Sequence, residues 1–215
     1  MQSIAVVGLG YVGLPLSLQF ARSGVRVIGL DVDTAKVAAI TAGQSYIRHI
    51  AAADIAGAVG EGKFTASTDF ARVREVEAVI ICVPTPLNKN REPDISYIIK
   101  TGHAIAPHLQ RGTLVVLEST TYPGTTDEDL RAVLEEGSGL TAGVDFNLAF
   151  SPEREDPGNP NSLVAEIPQS GGWPDPEVSR KSPAPLWPGH QNRRAGILRR
   201  SGRNDQTARK HLPHD

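Results

Sequence analysis

The sequence lacks several features that define common protein classes. Cys82 is its single cysteine, so a disulfide framework is excluded and a reducing compartment is expected. No run approaches the length of about 18 apolar residues that a membrane span needs. The apolar start has no basic n-region, so no signal peptide is predicted. A net charge of -2 predicts no affinity for nucleic acid or membranes. We therefore expect a cytoplasmic protein.

The composition changes abruptly after Pro168. Residues 1–168 carry 13 Lys and Arg against 20 Asp and Glu, a net charge of -7. Residues 169–215 carry 9 against 4, a net charge of +5, and hold both tryptophans and six prolines. They contain only five Val, Ile, Leu, Met or Phe, too few to bury a core. We predict a folded domain over residues 1–168 and a disordered segment over residues 169–215.

Strand and helix patterns alternate along the first of these segments. Apolar runs predict buried strands at 3–7, 25–30, 78–83, 113–118 and 146–151. Helical periodicity falls at 14–24, 34–42, 95–109 and 125–136. Asp33 or Thr34 is a suitable N-cap for the second helix, and Gly24 suits the end of the first. This alternation predicts an α/β fold with a doubly wound parallel sheet.

A glycine-rich turn follows the first predicted strand and opens the first helix. Its glycines are Gly8, Gly10 and Gly13, and Asp31 follows at the end of the second strand. Such a turn brings the backbone close to a pyrophosphate at a helix N-terminus, where N–H groups and the dipole favour anions. Asp31 would accept hydrogen bonds from the adenosine ribose and repel a 2′-phosphate. The pattern predicts a Rossmann domain that binds NAD rather than NADP; the alternative is a purely structural turn.

Three further polar stretches follow predicted strands, at the edge where α/β sheets bind ligands. Residues 82–94 form a proline-rich loop in which Thr85 is placed to offer its hydroxyl to a cofactor; a plain turn is the alternative. Residues 118–126 supply hydroxyls to a ligand or cap the next helix. Glu153 and Arg154 follow the last strand as a site or as a solvated pair. Cys82 is expected to be a small core residue.

Together these stretches resemble the nucleotide-sugar 6-dehydrogenases, the UDP-glucose/GDP-mannose dehydrogenase family. The resemblance is carried by GLGYVGLP, VPTPLNKNREPD, LESTTYPGTTDE and FSPEREDPGNP, and it covers residues 1 to about 168. It is greatest with enzymes that oxidise UDP-N-acetylglucosamine or UDP-N-acetylmannosamine. Pro157 stands where the UDP-glucose branch has a second glutamate, which favours the N-acetylhexosamine branch.

The resemblance implies two successive NAD-dependent oxidations that convert the C6 alcohol of the sugar to a carboxylate. A cysteine holds the carbon as a thiohemiacetal and then as a thioester, which water releases. By position, NAD contacts would come from Tyr11, Val12, Asp31, Thr85 and Thr120, with Thr120 near the reacting carbon. Glu153 would activate the hydrolytic water, and Arg154 and Glu155 would contact the nucleotide sugar. Full-length members of the family are expected to be homo-oligomers.

The family's catalytic lysine, cysteine and second domain have no counterpart in residues 169–215. Displaced by one nucleotide, the codons of Gln169–Pro174 permit Lys-Val-Val-Gly-Gly, which resembles the family's continuation. The same displacement of Gly202–Pro213 permits the family's A-E-x-x-K-x-x-x-N helix. We therefore interpret residues 169–215 as an out-of-frame segment, in the gene or its record. The alternative is a genuine basic segment that binds an acidic partner.

Two other functions fit the same fold. One is a non-catalytic NAD-binding module, which residues 169–215 would connect to a partner. The other is a different β-hydroxyacid-type NAD dehydrogenase, against which the stretches at 118–126 and 151–154 argue. The prediction is the N-terminal part of an NAD-dependent nucleotide-sugar 6-dehydrogenase, without turnover of its own.

Overall fold

The computed structural model describes residues 1–89 and 91–151. This part of the chain forms a parallel sheet with the strand order β3-β2-β1-β4-β5-β6. The strands are β1 (Ser3–Val7), β2 (Arg26–Leu30), β3 (Phe64–Ser67), β4 (Ala78–Ile81), β5 (Leu114–Glu118) and β6 (Asn147–Ser151). The helices are α1 (Gly13–Arg22), α2 (Thr34–Thr41), α3 (Ala52–Gly60), α4 (Ser96–Ile105) and α5 (Arg131–Ser138). A π-helical stretch, Thr125–Leu130, leads directly into α5.

The central strand β1 shows why the sheet is covered on both faces. All five of its residues are buried, and it pairs in parallel with β2 on one side and with β4 on the other. Ile4 and Val6 pack into one apolar cluster with residues of α1, whereas Ala5 and Val7 pack into another with residues of α4 and α5. Successive side chains of a strand point to opposite faces, so the apolar run from Ile4 to Val7 requires two apolar layers.

Local sequence signals set several helix ends. The Asp33 carboxylate accepts hydrogen bonds from the backbone N–H groups of Ala35 and Lys36, and it thereby caps α2. Gly24 follows α1 with a φ of +85°, and its N–H donates to the Ala21 carbonyl. Gly139 ends α5 in the left-handed region in the same manner.

The predicted doubly wound Rossmann fold is confirmed, and each predicted strand is present within a few residues of its expected position. The structure adds α3, β3 and a 3-10 turn at Phe70–Glu75, none of which the sequence patterns indicated. Only Ile55 is buried in the Ala- and Gly-rich α3, and β3 has only four residues, so neither leaves a clear periodic pattern. The helix predicted at 95–109 divides into α4 and a 3-10 turn containing Pro107. The prediction for residues 169–215 falls outside the described residues.

Candidate functional site

The strand order places a crevice at the carboxyl end of the sheet. From β1 the chain adds β2 and β3 on one side and then returns to add β4, β5 and β6 on the other. The connections therefore diverge between β1 and β4, which is where open α/β sheets bind their ligands. The loops that follow β1, β2, β4 and β5 all reach this edge. Together with Gly13, the first residue of α1, they contain every predicted site residue within the described part of the chain.

The turn after β1 is built so closely that two of its glycines are obligatory. Gly8 has a φ of +93°, and a Cβ there would lie 2.7 Å from the carbonyl oxygen of Cys82. A Cβ on Gly13 would lie 1.9 Å from the carbonyl oxygen of Gly8. The first glycine thus packs the turn against the end of β4, and the last packs α1 against the turn. This agrees with the roles predicted for them.

Gly10 differs from these two glycines because no neighbouring atom requires it. A Cβ at this position would have nothing within 4 Å. The space before Gly10 is therefore open, as the close approach of a pyrophosphate would demand. The N-terminus of α1, with Val12 as its N-cap, has no side-chain cap and no acidic residue in its first turn. The residues present thus fit an anionic dinucleotide at this turn.

Asp31 has a structural role beside its predicted ligand role. Its side chain is 7% exposed, and Oδ2 accepts a 2.8 Å hydrogen bond from the N–H of Leu9 inside the glycine turn. Oδ1 accepts from the N–H of Asp33, and Nζ of Lys36 lies 3.2 Å from Oδ2. The carboxylate therefore links the ends of β1 and β2. Lys36 is a member of the site that the sequence patterns did not single out.

A segment between α2 and α3 also reaches the glycine turn. The hydroxyl of Tyr46 donates a 2.6 Å hydrogen bond to the carbonyl of Leu9, and the ring of His49 faces that of Tyr11 with 6.2 Å between centroids. Burial, followed by the charges of Asp31 and Asp33, raises the pKa of the Tyr46 phenol well above its ordinary value. Sequence reasoning missed this segment, because a Tyr and a His in a loop form no recognised motif.

The loops after β4 and β5 are joined by two hydrogen bonds from hydroxyl groups. Thr85 donates from Oγ1 to the carbonyl of Thr120 at 2.6 Å, and Ser119 donates from Oγ to the carbonyl of Val83 at 3.0 Å. The structure therefore brings together Thr85 and Thr120, which were predicted separately. The proton of the Thr85 hydroxyl already has an acceptor, so toward a cofactor this oxygen is an acceptor.

The remainder of the second loop begins the helix before α5. Gly124 has a φ of +101°, and Oγ1 of Thr121 lies 2.6 Å from Oγ1 of Thr125. Tyr122 is exposed, and its hydroxyl donates to Asp129. Partial desolvation, followed by the hydrogen bond to Asp129 and the charge of that residue, raises the pKa of this phenol. Most hydroxyls of this stretch thus hold the loop and the start of the helix. Among Ser119, Thr120 and Thr121, which follow β5, Thr120 is the exposed residue.

Three predicted residues come shortly after β6 in the sequence. Glu153, Arg154 and Glu155 lie outside the described residues, as does Pro157, so their assignments stay predictions. Cys82 belongs to an apolar cluster beside α1, in agreement with its prediction as a core residue. Over residues 1–89 and 91–151, no helix is long and apolar enough to cross a bilayer. The same residues contain no cluster of His, Cys, Asp or Glu suited to a metal ion.

Comparisons with known proteins identify relatives that are similar in sequence to this chain. The UDP-N-acetyl-D-glucosamine 6-dehydrogenase of Pseudomonas aeruginosa is 36% identical over 176 residues, 82% of this chain and 41% of that enzyme. The UDP-N-acetyl-D-mannosamine dehydrogenase of Pyrococcus horikoshii is 40% identical over 159 residues, 72% of this chain and 37% of that enzyme.

Solved structures show the same relationship. The crystal structure of a ternary complex of GDP-mannose dehydrogenase from Pseudomonas aeruginosa superposes with a TM-score of 0.68 at 33% identity. That match covers 70% of this chain and 36% of the other. The chain thus spans about two fifths of the length of the curated relatives it matches. Residues 2–170 match the UDP-glucose/GDP-mannose dehydrogenase family, NAD binding domain, and the chain therefore belongs to that family and carries its NAD-binding domain.

Proposed function

We propose that this chain binds NAD across the crevice between β1 and β4, as the cofactor half of a UDP-N-acetylhexosamine 6-dehydrogenase. The observation that carries the proposal is the glycine turn. Its outer glycines are required by the packing of the protein, whereas Gly10 faces open space. The unfilled space at that position and the uncapped start of α1 fit a pyrophosphate. When bound, NAD would supply a hydride acceptor for the carbon that is oxidised.

Specificity for NAD over NADP would rest on Asp31. This nearly buried carboxylate stands at the end of β2, where the adenosine ribose of a dinucleotide lies in this fold. Its negative charge opposes a 2′-phosphate, although Lys36 at 3.2 Å offsets part of that charge. The pair therefore favours a ribose with free hydroxyl groups. Removal of the carboxylate would leave Lys36 available to a phosphate.

The loops after β4 and β5 would form the side of the crevice nearest the reacting carbon. The Thr85 hydroxyl fixes the backbone of Thr120 through its 2.6 Å hydrogen bond to the Thr120 carbonyl, so it holds the loop that carries the Thr120 side chain. We assign Thr120 a place beside the nicotinamide and the substrate. Glu153 would draw a proton from the hydrolytic water, and Arg154 and Glu155 would bind the nucleotide sugar. These assignments rest on the resemblance of the motifs.

The names of the relatives support the proposed substrate class. Those with 35–40% identity include enzymes named for UDP-N-acetyl-D-glucosamine and UDP-N-acetyl-D-mannosamine. The reaction would take the C6 alcohol to an aldehyde by a first hydride transfer. A second hydride transfer, from the thiohemiacetal of that aldehyde, would give a thioester, which water hydrolyses to the carboxylate. A thiol nucleophile is required for the cysteine route that the family resemblance implies. The sole cysteine, Cys82, is buried in the apolar core, so we propose that this chain binds NAD without completing the reaction.

Calorimetric titration of the chain with NAD and NADP tests the cofactor assignment. We expect NAD to bind at least about tenfold more tightly than NADP, a difference of about 1.4 kcal/mol. Asp31→Ala should weaken NAD binding and reduce the preference for NAD. Asp54→Ala is the matched control, because Asp54, on α3, forms an exposed ion pair with Arg22, on α1. Equal affinities for the two cofactors in the unmodified chain would contradict the role of Asp31.

The absorbance of NADH tests the second half of the proposal. With NAD and either UDP-N-acetylhexosamine, we expect no NADH to form. Formation of NADH by the chain alone would show that another nucleophile replaces the missing thiol, and the proposed lack of turnover would be wrong. NAD binding together with specific capture of one partner through residues 169–215 would instead favour a non-catalytic NAD-binding module.

A further inference from the structure

The segment from Ser45 to His49, here named the tyrosine clip, touches the glycine turn at two residues. Tyr46 donates from its hydroxyl to the carbonyl oxygen of Leu9 at 2.6 Å. The ring of His49 faces the ring of Tyr11, with 6.2 Å between centroids and 27° between planes. Leu9 and Tyr11 flank Gly10, the position that faces open space. The clip therefore holds the turn on both sides of the residue that a pyrophosphate would approach.

The hydrogen bond from Tyr46 fixes one particular peptide plane. The Leu9 carbonyl and the Gly10 N–H belong to the same planar unit, which rotates as one body. The preceding plane contains the Leu9 N–H, and Asp31 holds that group at 2.8 Å. Tyr46 and Asp31 together thus fix both peptide planes that meet at Leu9. The direction of the Gly10 N–H is set before any ligand arrives.

The clip is anchored in the protein and does not rely on the turn for its own shape. Ile47 is 3% exposed and belongs to the apolar cluster beside α1. Ser45 donates from Oγ to the Ile47 carbonyl and accepts from the Ile47 N–H. The Ile50 N–H donates to the Ile47 carbonyl, which closes a turn over the clip. Tyr46 therefore contacts Leu9 from a segment that is held in place by its own packing and hydrogen bonds.

The chemistry of Tyr46 suits a permanent donor. Burial of its hydroxyl and the nearby carboxylates of Asp31 and Asp33 raise the pKa of the phenol, so it keeps its proton at ordinary pH. A deprotonated phenol would present a negative charge to the Leu9 carbonyl and could not donate. The phenol is thus available at ordinary pH as the donor to the Leu9 carbonyl.

We propose that Tyr46 is a positioning residue for the cofactor, which presets the Leu9–Gly10 peptide for a pyrophosphate. The inference rests on the proposed binding of NAD at the glycine turn. Because the peptide is already ordered, binding does not have to include the free-energy cost of ordering it. This gain in affinity applies only to ligands that contain the pyrophosphate. It does not extend to adenosine alone, whose ribose would contact Asp31.

The experiment compares NAD and adenosine binding, by ligand-observed NMR and calorimetry, in the unmodified chain and two variants. Tyr46→Phe keeps the ring and removes the donor. Thr41→Val is the matched control, because it removes an exposed hydroxyl that donates to the Val37 carbonyl at 2.8 Å. We expect Tyr46→Phe to weaken NAD binding about fivefold, the equivalent of one hydrogen bond, and adenosine binding less than about twofold. Thr41→Val should change neither.

The ratio of the two affinities distinguishes positioning from general support of the fold. Equal losses for NAD and adenosine, or unchanged NAD binding, would overturn the proposal. Failure of the unmodified chain to bind NAD would overturn the proposed function first, and this inference with it. If thermal unfolding shows that Tyr46→Phe does not fold, His49→Ala replaces it. That variant removes the second contact of the clip, and the same selective loss of NAD binding is then required.

Discussion

The two sides of the crevice are held by different means. The glycine side comprises residues 8–13, Asp31 and the tyrosine clip, and a buried carboxylate and a phenol fix its backbone. The hydroxyl side comprises residues 82–85 and 119–125, where Ser and Thr hydroxyls bond to carbonyls or to each other. On the glycine side, a Cβ at either outer glycine would meet a carbonyl oxygen. The glycine side is thus constrained by steric limits as well as by hydrogen bonds, and the hydroxyl side by hydrogen bonds alone.

This contrast indicates which side of the crevice tolerates amino-acid substitution. A steric clash of this kind cannot be accommodated in place, because a Cβ 1.9 Å from a carbonyl oxygen forces the backbone to move. A hydroxyl-to-carbonyl bond contributes only about 1 kcal/mol and can be exchanged for water at the surface. Substitutions on the glycine side should therefore affect both folding and cofactor binding. Those on the hydroxyl side should loosen a loop while the fold persists.

Gly13→Ala is expected to give the largest effect and would test the glycine side directly. The added Cβ would approach the Gly8 carbonyl, so we expect a loss of about 3 kcal/mol or more in the free energy of unfolding and no measurable NAD binding. Gly57→Ala in α3 is the control. Its Cβ would meet no atom within 4 Å, and a helical alanine should stabilise by about 0.5–1 kcal/mol. Chemical denaturation measures the free energy of unfolding of both variants. A small loss in Gly13→Ala would contradict the steric constraint assigned to the glycine side.

Thr85→Val would test the hydroxyl side with an isosteric change. Loss of the 2.6 Å bond to the Thr120 carbonyl should cost about 1 kcal/mol of unfolding free energy. Amide hydrogen exchange should accelerate around Thr120 and leave the glycine turn unchanged. Thr85→Ser keeps the hydroxyl and should behave as the unmodified chain. Faster exchange at residues 8–13 would mean that the two sides are coupled, against the comparison drawn above.

Acid should give the smallest effect, and it should act on α5, the helix that follows the hydroxyl side in the chain. The Ala142 N–H and then Arg131 lower the pKa of the Glu135 carboxyl, so its ionised form stabilises the folded state. That contribution is complete above about pH 4.3, the usual value, and is lost as the pH falls through the lowered folded value. Glu135→Gln should cost less than about 1 kcal/mol at neutral pH, and the difference should vanish in acid.

Denaturation at several pH values checks this acid effect. Glu136→Gln, at the adjacent exposed position, is the control. A constant difference between Glu135→Gln and the unmodified chain at every pH would contradict the assigned charge effect.

Particular residues explain why one side of the site was more predictable than the other. The glycine turn and Asp31 leave marks in the sequence, because only glycine satisfies the sterics and a carboxylate at a strand end is distinctive. The link from Thr85 to Thr120 ends on a backbone carbonyl, which every residue possesses, so no spacing reveals it. Tyr46 acts on a carbonyl in the same way and was missed for the same reason. The short β3 and alanine-rich α3 were missed because few of their side chains are buried.

The pairing of β1 with β4 has a consequence for how the domain is made. Ile4 lies beside Ala78, and Gly8 packs against the carbonyl of Cys82, so partners of the first strand lie far along the chain. During synthesis β1 leaves the ribosome well before β4 exists to cover it. The motif most easily recognised in the sequence is therefore completed late, and contacts of such long range fold slowly. Until β4 covers it, the apolar strand β1 exposes an unpaired edge that favours aggregation.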